Sequence, residues 1–491
     1  MRKSVTALAI GLFLLLGYPG HPQTPGKYNV LFITVDDLRP LLGCYGDTLV
    51  KTPNIDKLAS RGLLFNRAYC QQAVCAPSRA SLLTGKRPET IRIFDLETPV
   101  RKAVPDVVTL PQLFKNAGYH TLGMGKIFHH PNPASFSQPE WYFSKALFSP
   151  QKAEEIKDLV DSLKASGVDW SDWKNRRRGP AFEAPEVPDS LLMDGELAVR
   201  AMEQLRQLKK GAEAGTPFFL ALGFLKPHLP FVAPRRYWEL YDPARIPPAP
   251  NPYLPVGAPA YAQHSSGELR TYDNISKGKA IDAELSRELK HGYLAAVSFV
   301  DAQVGLVLDK LQRLGLDKTT IVVLWGDHGF QLGEHNMWCK HNNYEISTRA
   351  PLIVSVPGMR HAGQATNGLV EFVDVYPTLA DYAGLPVAND LEGISLRPLI
   401  EQPRRAWKKA AFSLYPWKIP GVGDGFGYTL RTDRYRLVEW TVPEKGFYEY
   451  ELYDHQTDTQ ENKNLAALPA YRPVMERLKK QLHQGWKKAL P

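Results

Sequence analysis

Four apolar runs constrain the fold of this 491-residue chain more than any other feature: residues 29–35, 217–224, 319–325 and 351–356. Each is bounded by turn signals, and helical patterns lie between them. A strand with one wet face alternates apolar and polar residues, whereas a strand buried on both faces has no polar side to keep. These runs therefore predict an α/β fold in which a parallel sheet is covered by helices on both faces. The clearest covering helix runs from Glu284 to Leu314, where Leu294, Val297, Asp301, Val304, Leu308 and Leu311 recur at helical spacing and all but Asp301 are apolar.

Polar clusters follow the runs directly: Asp36-Asp37, Lys226-Pro227-His228 and Asp327-His328. In sheets of this kind ligands gather beyond the carboxyl ends of the strands. Adjacent aspartates suit a hard divalent cation, although the same pair is common in solvated turns. Asp327-His328 supplies a second polar pair that could converge with the first.

At 44% hydrophobic residues the chain can build one large core and a smaller domain, which excludes a disordered protein. The texture changes near Leu399. Gly427 to Trp440 reads as a hairpin and Tyr471 to Lys488 as a closing amphipathic helix, so residues 27–399 are expected to form the catalytic domain and 400–491 a small α+β subdomain with an antiparallel sheet. Pro131 to Pro188, which includes Arg176, Arg177 and Arg178, and Pro243 to Ser265 read as long surface loops around a site. Residues 1–20 read as a signal peptide, with Arg2 and Lys3 ahead of an apolar run too short to span a bilayer. The expected location is the periplasm or exterior of a bacterium, or the lysosome in a eukaryote, with no stable membrane insertion. The net charge of +9 suits an anionic glycan, or simple solubility, and no nucleic-acid partner is expected. Four cysteines are too few and too irregular for a disulfide scaffold, and Cys70 and Cys75 lack a second ligand pair for a thiolate metal site.

Pro77, just after Cys75, and the following Ser78-Arg79-Ala80-Ser81-Leu82-Leu83 read as the start of a helix, which places Cys75 at its positive end, a natural seat for a sulfate dianion. From Cys75 to Thr84-Gly85 the chain resembles the maturation signature of the type I, formylglycine-dependent sulfatases. Val35 to Asp47, Gln71 to Arg79, Gly125 to His129, Lys226 to Phe231 and Asp327 to Gly329 are similar to the iduronate-2-sulfatase branch of that family. The resemblance implies an alkaline-phosphatase-like fold, with a large mixed sheet flanked by helices and a smaller C-terminal antiparallel sheet, and hydrolysis of a sulfate monoester.

The same resemblance implies the roles of individual residues. Cys75 is oxidised by a formylglycine-generating maturation enzyme to 3-oxoalanine, whose hydrate attacks sulfur. Asp36, Asp37, Asp327, His328 and residue 75 hold a calcium ion; most relatives have asparagine where this chain has His328, and imidazole is an unusual calcium ligand. Arg79 orients the hydrate, and Lys126 and Lys340 contact sulfate. His228 protonates the departing sugar oxygen. His129 removes a proton so that the aldehyde re-forms, and the Lys-x-x-His spacing favours it over His130. The implied partner is a sulfated oligosaccharide or polysaccharide bearing the 2-O-sulfate of iduronate or a related uronate. Arg39 and Arg92 flank the motifs and are candidates for the sugar carboxylate. Two alternatives stand beside this reading, a phosphatase or phosphonate monoester hydrolase of the same superfamily and a non-catalytic sulfated-glycan binder. The complete Cys75-to-Gly85 signature argues against the first, and the retained set of polar residues against the second.

Overall fold

Every residue of strand β1 (Asn29–Val35) is buried. Leu31, Ile33 and Val35 enter one hydrophobic core, while Val30 and Phe32 enter another on the opposite face, as the two-residue period of a strand requires. The computed structural model describes residues 28–168 and 178–491; the expected signal peptide, Arg176 and Arg177 lie outside them.

Six more strands complete the central sheet: β2 (Leu63–Phe65), β3 (His120–Gly125), β4 (Phe218–Phe224), β5 (Thr320–Gly326), β6 (Leu352–Ser355) and β7 (Gln364–Thr366). Their order is β7-β2-β6-β5-β1-β4-β3. β1 pairs in parallel with β4 and β5, and β3 pairs in parallel with β4. β6 runs antiparallel to β5 and β2, so the sheet is mixed and the run at 351–356 departs from the parallel expectation. A parallel return needs a crossover, usually through a helix laid over one face. The link from β5 to β6 contains one short α-helix, Glu345–Thr348, and cannot make that return.

Helix α1 (Cys75–Thr84) packs on one face of the sheet, while α2 (Met193–Glu213) and α3 (Ala283–Arg313) pack on the other. α3 lies within a residue of its expected bounds at each end. Asp282 caps it, accepting the Leu285 amide at 2.9 Å, and its buried Asp301 accepts the amides of Asn54 (3.1 Å) and Ile55 (2.8 Å), which explains the one polar residue in its apolar stripe.

Strands β8 (Ala410–Ile419), β9 (Gly423–Thr432), β10 (Tyr435–Val442) and β11 (Phe447–Asp454) form an antiparallel sheet in chain order. The expected hairpin is the β9–β10 pair. Helix α4 (Arg472–Gln484) closes this sheet through Met475 and Leu478. The segment expected to be loop between Pro131 and Pro188 contains a helix, Pro150–Ala165, capped by the Ser149 hydroxyl; Ile156, Leu159, Val160 and Leu163 recur along it at helical spacing, though none of its residues is fully buried. Among the described residues no helix is long and apolar enough to cross a membrane.

Candidate active site

Four neighbouring strands, β3, β4, β1 and β5, run parallel and end at one edge of the sheet. Lys126, Lys226 to His228, Asp36-Asp37 and Asp327-His328 follow these ends, so the fold gathers what the sequence spaces far apart. α1 starts at the same edge with Cys75 as its first residue after extended Val74, and ends at Gly85, whose φ of 66° suits the left-handed cap. The chain reverses sharply after β1: Asp37 has φ 59°, its amide donates to Asp327 Oδ1 at 3.0 Å, and its carbonyl accepts the Tyr293 hydroxyl of α3 at 2.9 Å.

Asp36, Asp37, Cys75 and His328, all buried, each bring one potential ligand atom to within 4.8 Å of the others. His328 Nε2 lies 3.3 Å from Cys75 Sγ, 3.4 Å from Asp37 Oδ1 and 3.6 Å from Asp327 Oδ1. The other ring nitrogen, Nδ1, faces the Gly329 carbonyl at 2.9 Å. A carbonyl only accepts, so the ring proton belongs on Nδ1 and Nε2 presents a lone pair. A bare nitrogen, a sulfur and several carboxylate oxygens facing one another repel unless a cation lies among them, and this donor set fits a divalent metal.

Three cationic side chains surround the cluster. Arg79, one helical turn after Cys75 and fully buried, places Nε 2.9 Å from Asp327 Oδ2 and Nη2 3.3 Å from Asp36 Oδ1, and donates to the carbonyls of Lys126 and Ile127. Lys126 pairs with Asp36. Lys340 lies 3.0 and 3.1 Å from the two Asp37 oxygens. Burial alone would push the Asp36 carboxyl up, but Lys126 and Arg79 outweigh it and hold the group well below the usual carboxylate range. Burial and the Asp36 charge push the Cys75 thiol well above its ordinary value, so the unmodified side chain is a protonated and poor nucleophile.

Of the three histidines considered as acid or base, His129 and His228 lie closest to the charged groups of the centre. Burial and the Lys126 charge push His129 down to about 4, and its buried Nδ1 has no hydrogen-bond partner among the described residues. His130 instead places Nε2 2.8 Å from the Leu96 carbonyl. His228 is held by its Nδ1, 2.6 Å from the Leu229 carbonyl, and points Nε2 towards Asp37 Oδ2 at 3.9 Å. Lys226 clamps this loop, donating to the carbonyls of His228 (3.0 Å) and Pro230 (2.7 Å), and burial draws its pKa down to about 8.

The structure also brings in Glu268, which the sequence did not mark. Its carboxylate meets Lys340 at 2.7 Å, His228 at 3.2 Å and His341 at 3.0 Å. It follows no strand end and belongs to no motif singled out above. Arg39 is engaged elsewhere, 3.0 Å from Glu334 and 3.2 Å from the Phe330 carbonyl. Arg92 is exposed, with φ 57° at the end of a short helix and its guanidinium over Phe94.

Buried acidic ligands beyond the strand ends of a helix-flanked mixed sheet, with cations arranged around a helix-start cysteine, define a hydrolase of alkaline-phosphatase-like fold. The chain matches the sulfatase family model over residues 28–385 and the C-terminal model of N-sulphoglucosamine sulphohydrolase over residues 333–488. It is 35% identical to the iduronate 2-sulfatase of Homo sapiens over 492 aligned positions, covering 85% of this chain and 86% of that one. Among solved structures, it resembles a phosphonate monoester hydrolase from Silicibacter pomeroyi (TM-score 0.73, 25% identity, 94% of this chain and 96% of that one). It also resembles a 2-O GAG sulfatase (TM-score 0.70, 25% identity, 94% and 92% covered). The chain belongs to the sulfatase family and is a sulfuric ester hydrolase.

Proposed function

We propose that this enzyme removes a sulfate ester from an exported or extracellular sulfated glycan, at the 2-O position of iduronate or a related uronate, using formylglycine made from Cys75. One observation carries the reading: Cys75 sits at the positive start of α1, inside a buried set of metal-type donors ringed by Arg79, Lys126 and Lys340. Likeness to an iduronate 2-sulfatase and to a 2-O GAG sulfatase supports the choice of sugar.

Cys75 Sγ stands in for an oxygen of the formylglycine hydrate. That hydrate has two hydroxyl groups, one to attack sulfur and one to release sulfate afterwards, whereas cysteine or serine offers a single group. Asp36, Asp37, Asp327, His328 and residue 75 would hold the divalent cation, with calcium the proposed ion. It would supply polarisation of the sulfate oxygens and a lower pKa for the attacking hydroxyl. Arg79 helps keep Asp36 charged and holds both Asp36 and Asp327 in place. The ammonium groups of Lys126 and Lys340 offset charge on the non-bridging oxygens, the electrostatic assistance that transfer of a sulfuryl group needs. His228 Nε2 gives a proton to the departing sugar oxygen. His129, uncharged at neutral pH, takes the proton from residue 75 as sulfate leaves.

A second reading, phosphonate monoester hydrolysis, draws on the TM-score of 0.73 to such an enzyme. Defined substrates separate the two. Mature enzyme should desulfate a disaccharide carrying a 2-O-sulfated uronate at a kcat/KM at least about tenfold above that for a 6-O-sulfated glucosamine or a phenyl phosphonate monoester. A preference for the glucosamine would overturn the uronate assignment, and a preference for the phosphonate the sulfate ester itself.

A further inference from the structure

We propose that Glu268, held in place by Lys340 and His341, is a positioning residue that fixes the proton-donating His228; the inference rests on the acid role given to His228 above. One carboxylate holds three donors. Oε1 is shared by Lys340 Nζ at 2.7 Å and His228 Nε2 at 3.2 Å, while Oε2 meets His341 Nε2 at 3.0 Å. His341 is anchored in turn by the Tyr415 hydroxyl of β8, 3.0 Å from its Nδ1. Glu268 is also held along its own chain. Ser266, at φ 57°, donates its amide to His264 Nδ1 at 3.0 Å and accepts the Trp338 amide through its hydroxyl at 3.0 Å, and Leu269 is fully buried. The carboxylate therefore stands on a stiff support reaching into the C-terminal sheet.

The unequal contacts indicate how it works. The His228 contact is the longer of the two on Oε1, and an arriving ester oxygen can replace it while Lys340 and His341 keep Glu268 in place. His228 Nε2 thus waits on the line along which the leaving oxygen must come, with Nδ1 fixed on the Leu229 carbonyl. Without Glu268, His228 Nε2 would keep only its longer approach to Asp37, at 3.9 Å.

A purely structural ion pair would affect all substrates alike, whereas a guide for the acid matters only when the leaving group needs a proton. Full-length mature enzyme and its E268Q, H228A and double variants should be assayed on 4-nitrophenyl sulfate and phenyl sulfate, which differ in the basicity of the leaving phenolate. Formylglycine content should be matched by peptide mass. E268Q should lower kcat on phenyl sulfate by about 10- to 100-fold and on 4-nitrophenyl sulfate by no more than about threefold, and H228A should show the same split. The double variant should fall no more than about threefold below H228A alone, because both changes remove one function. E268D should recover part of the loss on phenyl sulfate, and if the amide variant does not fold it must itself show the split in weaker form. Equal losses on both esters, or multiplying losses in the double variant, overturn the role of Glu268. An H228A variant with no leaving-group dependence overturns the acid assignment on which it rests.

Discussion

His129 shows how one residue's surroundings set its chemistry. Burial and the Lys126 charge push its pKa down to about 4, so it is a free base across the neutral range and loses that state only in strong acid. In the account above it must accept a proton. That step follows release of the sugar, so kcat should hold as pH falls through 6.5, the ordinary histidine value, and drop near pH 4, as a pH–rate profile would record. A drop centred near 6.5 would assign the base to another group. Arg79 gives a second residue-scale expectation. Its fork spans Asp36 and Asp327 while also donating to two carbonyls, a pattern an ammonium cannot reproduce, so R79K should lower kcat at least about 100-fold with little change in KM. Asp36, Asp37, Asp327 and His328 were legible in the sequence because strand ends announce themselves. Glu268 was not, because a loop residue far from any motif reaches the site only through the fold. Arg39 looked available for substrate only because the pairing with Glu334 lies almost three hundred positions away in the chain.

Among the elements, β10 ties the C-terminal sheet to the segment that carries Lys340. Its Arg436, fully buried, donates to the Asn343 carbonyl at 2.9 Å and pairs with Glu345 and Glu461. Removing that charge leaves Glu345 with Arg431 and the buried Glu461 with His455, each at 2.9 Å, and takes from both the cation that joins them. R436M should therefore destabilise the protein by about 3–5 kcal/mol in denaturant unfolding, well beyond the loss of one exposed ion pair. A change below about 1 kcal/mol would show that the network is solvated. Element by element, the long apolar runs and the stripe of α3 could be read because their periods are strong. The orientation of β6 could not, because its apolar run looks the same in either direction and only the short link before it decides. The helix at Pro150–Ala165 is written in the spacing of Ile156, Leu159, Val160 and Leu163, but the Trp, Pro and basic residues around it gave the whole segment the look of a loop.

For the whole molecule, the account requires a cation that binds the folded state alone. Purified enzyme should contain about one divalent ion per chain by elemental analysis, and chelation should both abolish turnover and lower the thermal midpoint by several degrees. D37A should lose the ion with the activity. Turnover without any ion would refute the metal assignment, and two ions per chain would favour the phosphatase-like alternative. The most direct test of the central claim is the mass of the peptide that contains position 75, measured on a preparation of known turnover. The account predicts a peptide about 18 Da lighter than the cysteine form, in proportion to activity, and no turnover in C75A. Full activity from a chain whose Cys75 remains a thiol would contradict it.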